Sequence, residues 1–157
     1  MRLMKDRRGE AGPGMIMFII VFILVVSVVM EISRVHTIRS HVEKELSRAA
    51  NLSVEIAMLD DYRQDGISKI DVAAAQAALS DYIHGNMNLD ASYALRLDGK
   101  TEYRLIINSL TFEEEPPKIR IEGTIVIPVS VLHEYLDEGV SFRIHLKIAT
   151  RNQRLDA

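Results

Sequence analysis

The sequence predicts an α+β fold in which a long N-terminal helix and a short second helix precede a four-stranded antiparallel sheet. Three observations support this class. Residues 15–30 carry no charge, and twelve of these sixteen residues are Leu, Ile, Val or Phe. Residues 32–62 contain neither proline nor glycine and place apolar residues at helical spacing. From Ala91 onward apolar and polar residues alternate, which is typical of strands with one buried face.

The apolar run predicts a transmembrane helix. Together with residues 11–14 it gives twenty uncharged residues between Glu10 and Glu31. A helix of that length spans about 30 Å, the thickness of the hydrocarbon core of a bilayer. Its twelve Leu, Ile, Val and Phe residues favour insertion by about 4 to 7 kcal/mol in total. The alternative is a cleaved secretory signal, but the apolar core of a signal is shorter and no small-x-small cleavage site follows Met30.

The charges that flank the run predict its orientation. The basic residues before it are Arg2, Lys5, Arg7 and Arg8. Basic flanks remain on the cytoplasmic side of a membrane. We therefore expect a single-pass protein of a bacterial cell membrane. Residues 1–14 form a cytoplasmic basic leader, residues 15–31 a transmembrane helix and residues 32–157 an extracytoplasmic α+β domain. Four charges mark the two membrane edges, namely Arg7, Arg8, Glu31 and Arg34. The three-residue spacing of Glu31 and Arg34 allows an ion pair on one helix face.

The composition of the remaining chain excludes several functions. Residues 32–157 hold 15 Lys or Arg and 19 Asp or Glu, a net charge of −4, which argues against a nucleic-acid partner. The chain has no cysteine, so disulfides, thiolate metal sites and cysteine nucleophiles are excluded. His36 and His41 are five residues apart and lie on different sides of a helix. We expect a protein that is not an enzyme and that uses no metal or cofactor.

The second half of the long helix carries one apolar stripe. One seven-residue repeat of apolar residues consists of Val35, Val42, Ala49 and Ile56. A companion row three positions later consists of Ile38, Leu52 and Leu59. One helix from about residue 14 to about residue 62 would be some 70 Å long. The stripe could pair with a copy in a coiled coil, lie on the downstream domain of its own chain, or pack on neighbouring copies in an assembly. The second option is favoured, because the sheet that follows needs a helix to cover it.

A short helix is predicted between the long helix and the sheet. Gly66 is a plausible end of the long helix. Ser68 and Asp71 resemble a capping box that opens a helix over residues 69–84, and Gly85 closes it. Its predicted apolar face consists of Ile70, Ala73, Ala74, Ala77 and Ile83.

The alternating pattern then predicts four strands. They cover residues 91–97, 101–112, 118–128 and 140–150. Asp98-Gly99 is a hairpin turn signal, and residues 113–117 form an exposed turn. Gly123 marks a bulge, and residues 129–137 form an excursion before the last strand. The predicted inward residues are Tyr103, Leu105 and Ile107, then Ile119, Ile121, Ile125 and Ile127, then Val140, Phe142, Ile144, Leu146 and Ile148.

Several short segments together resemble a known family. They are Arg7-Arg8-Gly9, the apolar run, Glu31-Ile32-Ser33-Arg34, Arg48-Ala49-Ala50 and the late strand that ends at Ala149-Thr150-Arg151. In this order they resemble the TadE-like minor pseudopilins of tight-adherence pili, which are related to type IV pilins. The resemblance implies a pilin-like fold and a role in a pilus or a related secretion apparatus. It also implies processing by a prepilin peptidase and partners among other pilin-like or secretion-machinery subunits.

The candidate processing sites are Gly9, Gly12 and Gly14. Prepilin signals carry a glutamate five residues beyond the cut, but the corresponding positions here are Gly14, Met17 and Ile19. The chain is therefore either processed without that glutamate or an unprocessed assembly factor. The alternative function is a ligand-binding or sensory ectodomain on a single-pass anchor. Its cytoplasmic part is too short for a signalling domain, so it would act through a partner membrane protein.

Overall fold

The structure is a computed structural model that describes residues 11–58, 69–129 and 140–150. The elements in these residues are α1 (Ala11–Ile56), α2 (Val72–Gly85), β1 (Ala94–Leu97), β2 (Lys100–Glu113), β3 (Lys118–Pro128) and β4 (Ser141–Ala149). The strands lie in one sheet in the order β1-β2-β3-β4, and all neighbours are antiparallel. The fold is therefore α+β, with a long helix, a short helix and a four-stranded antiparallel sheet, as the sequence predicts.

The long helix α1 continues without a break past the predicted outer membrane edge at Glu31. Its 46 residues give a length of about 69 Å. The predicted end near residue 62 is wrong, because α1 ends at Ile56. Beyond it the carbonyl of Ala57 accepts a hydrogen bond from the Asp71 N–H at 2.9 Å, and Met58 forms an isolated bridge with Ile70. These contacts replace the next helical turn. The predicted terminator, Gly66, lies outside the described residues.

The apolar stripe of α1 packs on its own domain, which is the second of the three predicted coverings. The buried residues of this stripe are Val42, Leu46, Ala49, Ala50, Ser53 and Ala57. The seven-residue repeat fails after Ala49, since Leu52 is 38 % exposed and Ile56 is 62 % exposed. A straight helix has 3.6 residues per turn, so a seven-residue repeat drifts by about 20° in each heptad. Ser53 and Ala57 therefore take the buried positions; Leu59 lies outside the described residues.

The second helix α2 begins later than predicted. Asp71 caps it, accepting hydrogen bonds from the N–H groups of Ala73 at 2.8 Å and Ala74 at 3.3 Å. The predicted start at residue 69 is wrong, because Ile70 is buried in the extended bridge that precedes the cap. Ser68 lies outside the described residues.

The buried face of α2 also differs from the predicted one. Its buried residues are Ala75, Leu79, Tyr82 and Ile83. Ala73 and Ala77, which the sequence placed on this face, are exposed. Burial of leucine, tyrosine and isoleucine side chains removes far more apolar area from water than burial of alanines. That difference accounts for the rotation of the helix.

The sheet begins with a tight hairpin. Asp98 and Gly99 both have positive φ values, 51° and 77°, as a two-residue turn of the mirror-image type requires. β1 begins at Ala94 and is shorter than the predicted strand over residues 91–97.

The register of β2 against β3 shifts between Ile107 and Ser109, opposite Gly123. A Cβ on Gly123 would lie 2.9 Å from the carbonyl oxygen of Ile106, so the predicted bulge is confirmed and glycine is needed beside it.

The inward face of the sheet is covered unevenly. On β3 all four predicted inward residues are buried, namely Ile119, Ile121, Ile125 and Ile127. On and next to β4 only Leu146 and Ile148 are buried, while Phe142 is 41 % exposed and Val140 is 50 % exposed. The prediction of inward burial is wrong for Val140 and Phe142. The predicted excursion at residues 129–137 lies, beyond Val129, outside the described residues.

Candidate functional site

The first half of α1 has no covering from the described domain. From Met15 to Met30 the large apolar side chains are between 39 % and 71 % exposed, and none of the apolar window is buried within the described part of the protein. The hydroxyl of Ser27 donates to the carbonyl of Ile23 at 2.9 Å, so the polar side chain inside the run is satisfied by its own helix. The helix is long and apolar enough to cross a membrane, and it fits a single-pass membrane anchor.

A charged cluster lies directly above the last residue of the apolar run. Nη1 of Arg34 donates to Oε1 of Glu31 at 2.6 Å and to the carbonyl of Pro128 at 3.3 Å. Nε of Arg34 donates to Oε1 of Glu102 at 3.0 Å. One guanidinium thus ties α1 to β2 and to the end of β3. We call these four residues, Glu31, Arg34, Glu102 and Pro128, the Arg34 clamp.

The Arg34 clamp is built from largely buried charges. The side chains of Glu31, Arg34 and Glu102 are 10 %, 25 % and 31 % exposed. Charge-assisted hydrogen bonds of this kind are stronger than neutral ones, and partial burial reduces their screening by water. The clamp therefore fixes the sheet against α1 at the level where the apolar run ends.

A polar groove lies farther along α1, beside the C-terminal end of α2. It has a volume of about 1030 Å³, and its lining includes Glu43, Glu45, Arg48, Asn51, Tyr82 and Asn86. The hydroxyl of Tyr82 donates to Oε2 of Glu45 at 2.8 Å and joins the two helices. Burial, followed by this hydrogen bond and the charge of Glu45, raises the pKa of Tyr82. Burial and the same carboxylate raise the pKa of Tyr103 on β2.

The histidines of the described chain take part in ordinary structural contacts or lie at the surface. Nδ1 of His84 is 3.1 Å from the carbonyl of Leu89. Nδ1 of His145 lies 3.1 Å from the hydroxyl of Thr124, which also accepts from Asn108. Within the described residues, no group of three or more His, Asp or Glu side chains could hold a metal ion.

The predicted site residues are not all brought together. Arg7, Arg8 and Gly9 lie outside the described residues. Gly12 and Gly14 lie in the first turn of α1, and open space surrounds the position of a Cβ on Gly14. Their role as processing sites stays a prediction.

The structure does bring Glu31 and Arg34 together, as their spacing allows, and it adds partners that the sequence did not indicate. Glu102 and Pro128 are 68 and 94 residues from Arg34 in sequence. Neither belongs to a local motif, so no sequence pattern could have identified them. The Tyr82 contact with Glu45 was missed for the same reason.

Comparison with protein-family models, with curated proteins and with solved structures finds no match to this chain.

Proposed function

We propose that this protein is a membrane-anchored, pilin-like structural or assembly component of a pilus or a related secretion apparatus. The continuity of α1 carries this proposal. One 46-residue helix has an apolar first half that the described residues leave uncovered and a second half that forms the base of a folded domain. Such a helix can pack laterally against other membrane helices while its domain makes separate contacts outside the bilayer.

The proposed topology places the N-terminus in the cytoplasm and the sheet domain outside a bacterial cell membrane. The basic residues before the run support this orientation. The proposed partners are the lipid bilayer, other pilin-like or secretion-machinery subunits and a prepilin peptidase. The Arg34 clamp supports a mechanical role, because it joins the helix to the sheet at the membrane edge instead of leaving a flexible linker there.

The first experiment is the intact mass of the mature protein recovered from membranes. Loss of nine, twelve or fourteen residues, corresponding to cuts after Gly9, Gly12 or Gly14, would support pilin-type processing. A full-length mass would indicate a plain anchor or an unprocessed assembly factor. Loss of about thirty residues, as a secretory signal peptide would give, would remove the membrane anchor and contradict the proposal.

A photoreactive residue at Phe22 then tests lateral packing. Phe22 is 59 % exposed in the centre of the apolar run, and the matched control at Ile56 is 62 % exposed on the domain end of α1. We expect cross-links from position 22, in native membranes, to another single-pass subunit of a pilus or secretion system. Cross-links to lipid alone would contradict an assembly role.

The groove beside Tyr82 supports a second candidate, a ligand-binding or sensory ectodomain. Its volume of about 1030 Å³ is large enough for a small polar ligand or a peptide segment. In that case position 22 should cross-link to a kinase or a transporter subunit, because an ectodomain of this kind would act through a partner membrane protein.

A further inference from the structure

Two fixed points define how the sheet lies along α1. At the lower point, Arg34 contacts Glu102 near the start of β2 and Pro128 at the end of β3. At the upper point, Ala57 accepts from Asp71, and the N–H of the neighbouring Ile70 donates to the carbonyl of Glu114 at 3.4 Å, just beyond β2. Hence β2 runs in the same direction as α1, away from the apolar run, and β3 runs back toward it.

The lengths of the two paths agree. From Arg34 to Ala57 the helix rises about 35 Å, and from Glu102 to Glu114 an extended strand covers about 40 Å. The strands therefore lie alongside the helix with little tilt. The opposite end of the sheet must then point toward the membrane half of α1.

The β1–β2 turn extends below the Arg34 clamp. Gly99 is three residues before Glu102, a distance of about 10 Å along a strand. Met30, the last residue of the apolar run, is four residues before Arg34, or about 6 Å along the helix. The turn at Asp98 and Gly99 thus reaches the height at which the apolar run ends.

Three apolar side chains are exposed at this end of the sheet, beside the exposed charged residues Asp98 and Lys100 of the turn. Leu97 is 55 % exposed beside the turn, Val140 is 50 % exposed and Phe142 is 41 % exposed. The N–H of Val129 donates to the carbonyl of Val140 at 2.8 Å, which holds the start of β4 beside the end of β3. On α1, Ile32 is 59 % exposed at the same level.

We propose that this end of the sheet, the membrane-facing rim (Leu97, Val140 and Phe142), rests in the headgroup region of the bilayer that α1 crosses. The proposal depends on the membrane anchoring proposed above. The rim lies at the height where the apolar run of α1 ends, and the Arg34 clamp ties the sheet to α1 at that level. The rim therefore orients the domain on the lipid surface, with β2 and β3 standing upright.

A tryptophan reporter tests this proposal, because the chain contains no tryptophan. The full-length variants Phe142→Trp and Val140→Trp are reconstituted in phosphatidylcholine vesicles, some with bromine near the headgroups and some with bromine near the chain ends. Tryptophan favours the membrane interface. We expect headgroup-proximal bromine to quench the emission of both rim reporters more strongly than bromine near the chain ends does, because interfacial tryptophans lie at the depth of the headgroups.

Two controls separate this proposal from the membrane anchor itself. Phe22→Trp, in the middle of the apolar run, should be quenched most by bromine near the chain ends. Ile56→Trp, which is 62 % exposed at the upper point, should not be quenched. If Phe22→Trp is quenched and both rim reporters behave like Ile56→Trp, the rim proposal is overturned while the anchor stands. If Phe22→Trp is not quenched, the anchor fails and the rim proposal fails with it.

Discussion

The two halves of α1 have the same backbone and opposite surroundings. From Met15 to Met30 every large apolar side chain is exposed, and the described domain leaves this half uncovered. From Glu31 to Ile56 the same helix is covered along one face by α2 and the sheet. The first half is apolar on all sides, whereas the second has one stripe in which alanine and serine let neighbouring elements approach closely. The comparison shows that the pattern of side chains around the helix, and not its helicity, decides which part of α1 packs on the domain.

The largest effect should come from charging the first half. Val21→Arg combined with Leu24→Arg adds a penalty of about 5 to 7 kcal/mol to insertion, which cancels the favourable contribution of the whole run. We expect the variant to be released by alkaline extraction of membranes, while near-UV circular dichroism of its tyrosines stays unchanged.

The control for this variant carries the same charges on the other half of the helix. Leu52→Arg with Ile56→Arg changes two exposed positions, and this protein should stay in the membrane fraction. Equal retention of both variants would show that residues 15–30 do not anchor the chain.

The next effect concerns the covered half. Leu46 is 1 % exposed, so Leu46→Ala should lower the free energy of unfolding by about 2 to 5 kcal/mol without changing membrane retention. Urea unfolding of the full-length chain in detergent, followed by tyrosine circular dichroism, measures this. Ile56→Ala removes a similar aliphatic side chain from a 62 % exposed position and should have little effect. Equal losses for the two variants would mean that the stripe is not the side of α1 that packs on the domain.

A smaller effect is expected inside the sheet that covers α1. In Gly123→Ala the new Cβ would meet the Ile106 carbonyl oxygen at 2.9 Å. The resulting backbone shift should cost about 1 to 3 kcal/mol in the same urea assay. At Gly85 no atom lies within 4 Å of an added Cβ, and Gly85→Ala should stabilise α2 by roughly 0.5 to 1 kcal/mol. If Gly123→Ala left the free energy of unfolding unchanged, the bulge would not lie beside Gly123.

The smallest effect is pH-dependent and concerns the bond between α1 and α2. The pKa of Tyr82 is raised above its ordinary value of 10.0. The neutral hydroxyl is therefore favoured in the folded protein, and its stabilisation is complete below pH 10.0 and lost as the pH rises through the raised pKa. Tyr82→Phe should cost about 0.5 to 1.5 kcal/mol at neutral pH and flatten the alkaline loss.

Glu45→Gln sharpens this test. The amide oxygen can still accept from Tyr82, and burial still raises the pKa of Tyr82, but the contribution of the negative charge of Glu45 is gone. The pKa of Tyr82 in the folded protein should fall toward 10.0, so the alkaline loss of stability should be smaller and should end at a lower pH, as measured by urea unfolding across a pH series. An unchanged pH profile in both variants would show that Tyr82 does not contribute to the helix contact.

The strand pattern was predictable because it is a local property. A period of two along Lys118–Pro128 identified four buried isoleucines correctly. The turn at Asp98-Gly99 was predictable for a similar reason, since few residue pairs accept two positive φ values. Phe142 obeys the same period and faces the same side as its partner Ile127, yet 41 % of it is exposed. Periodicity gives the face of a residue but not whether another element covers that face.

The helical stripe shows the same limit. A seven-residue repeat and a 3.6-residue repeat agree over two turns and then separate, so the sequence could not decide between Leu52 and Ser53 as the buried residue. Packing of α1 on the rest of the domain decided which of the two is buried. Ser53 is 1 % exposed, and its hydroxyl donates to the carbonyl of Ala49 at 2.7 Å. The buried face of α2 was mispredicted, because the packing of α2 against α1 decided whether the alanines or Leu79 are buried.

The sequence by itself determined the class of fold, the continuity of α1, the apolar run and most of the inward-facing strand residues, because these follow from chain-local periodicity and composition. Only the tertiary structure decided which stripe of α1 is buried, where α1 ends, and that Arg34 joins Glu102 and Pro128. Such contacts depend on residues 68 and 94 positions away. No short-range pattern in the sequence indicates how close these residues come to Arg34, because the contacts form only when the sheet packs on the helix.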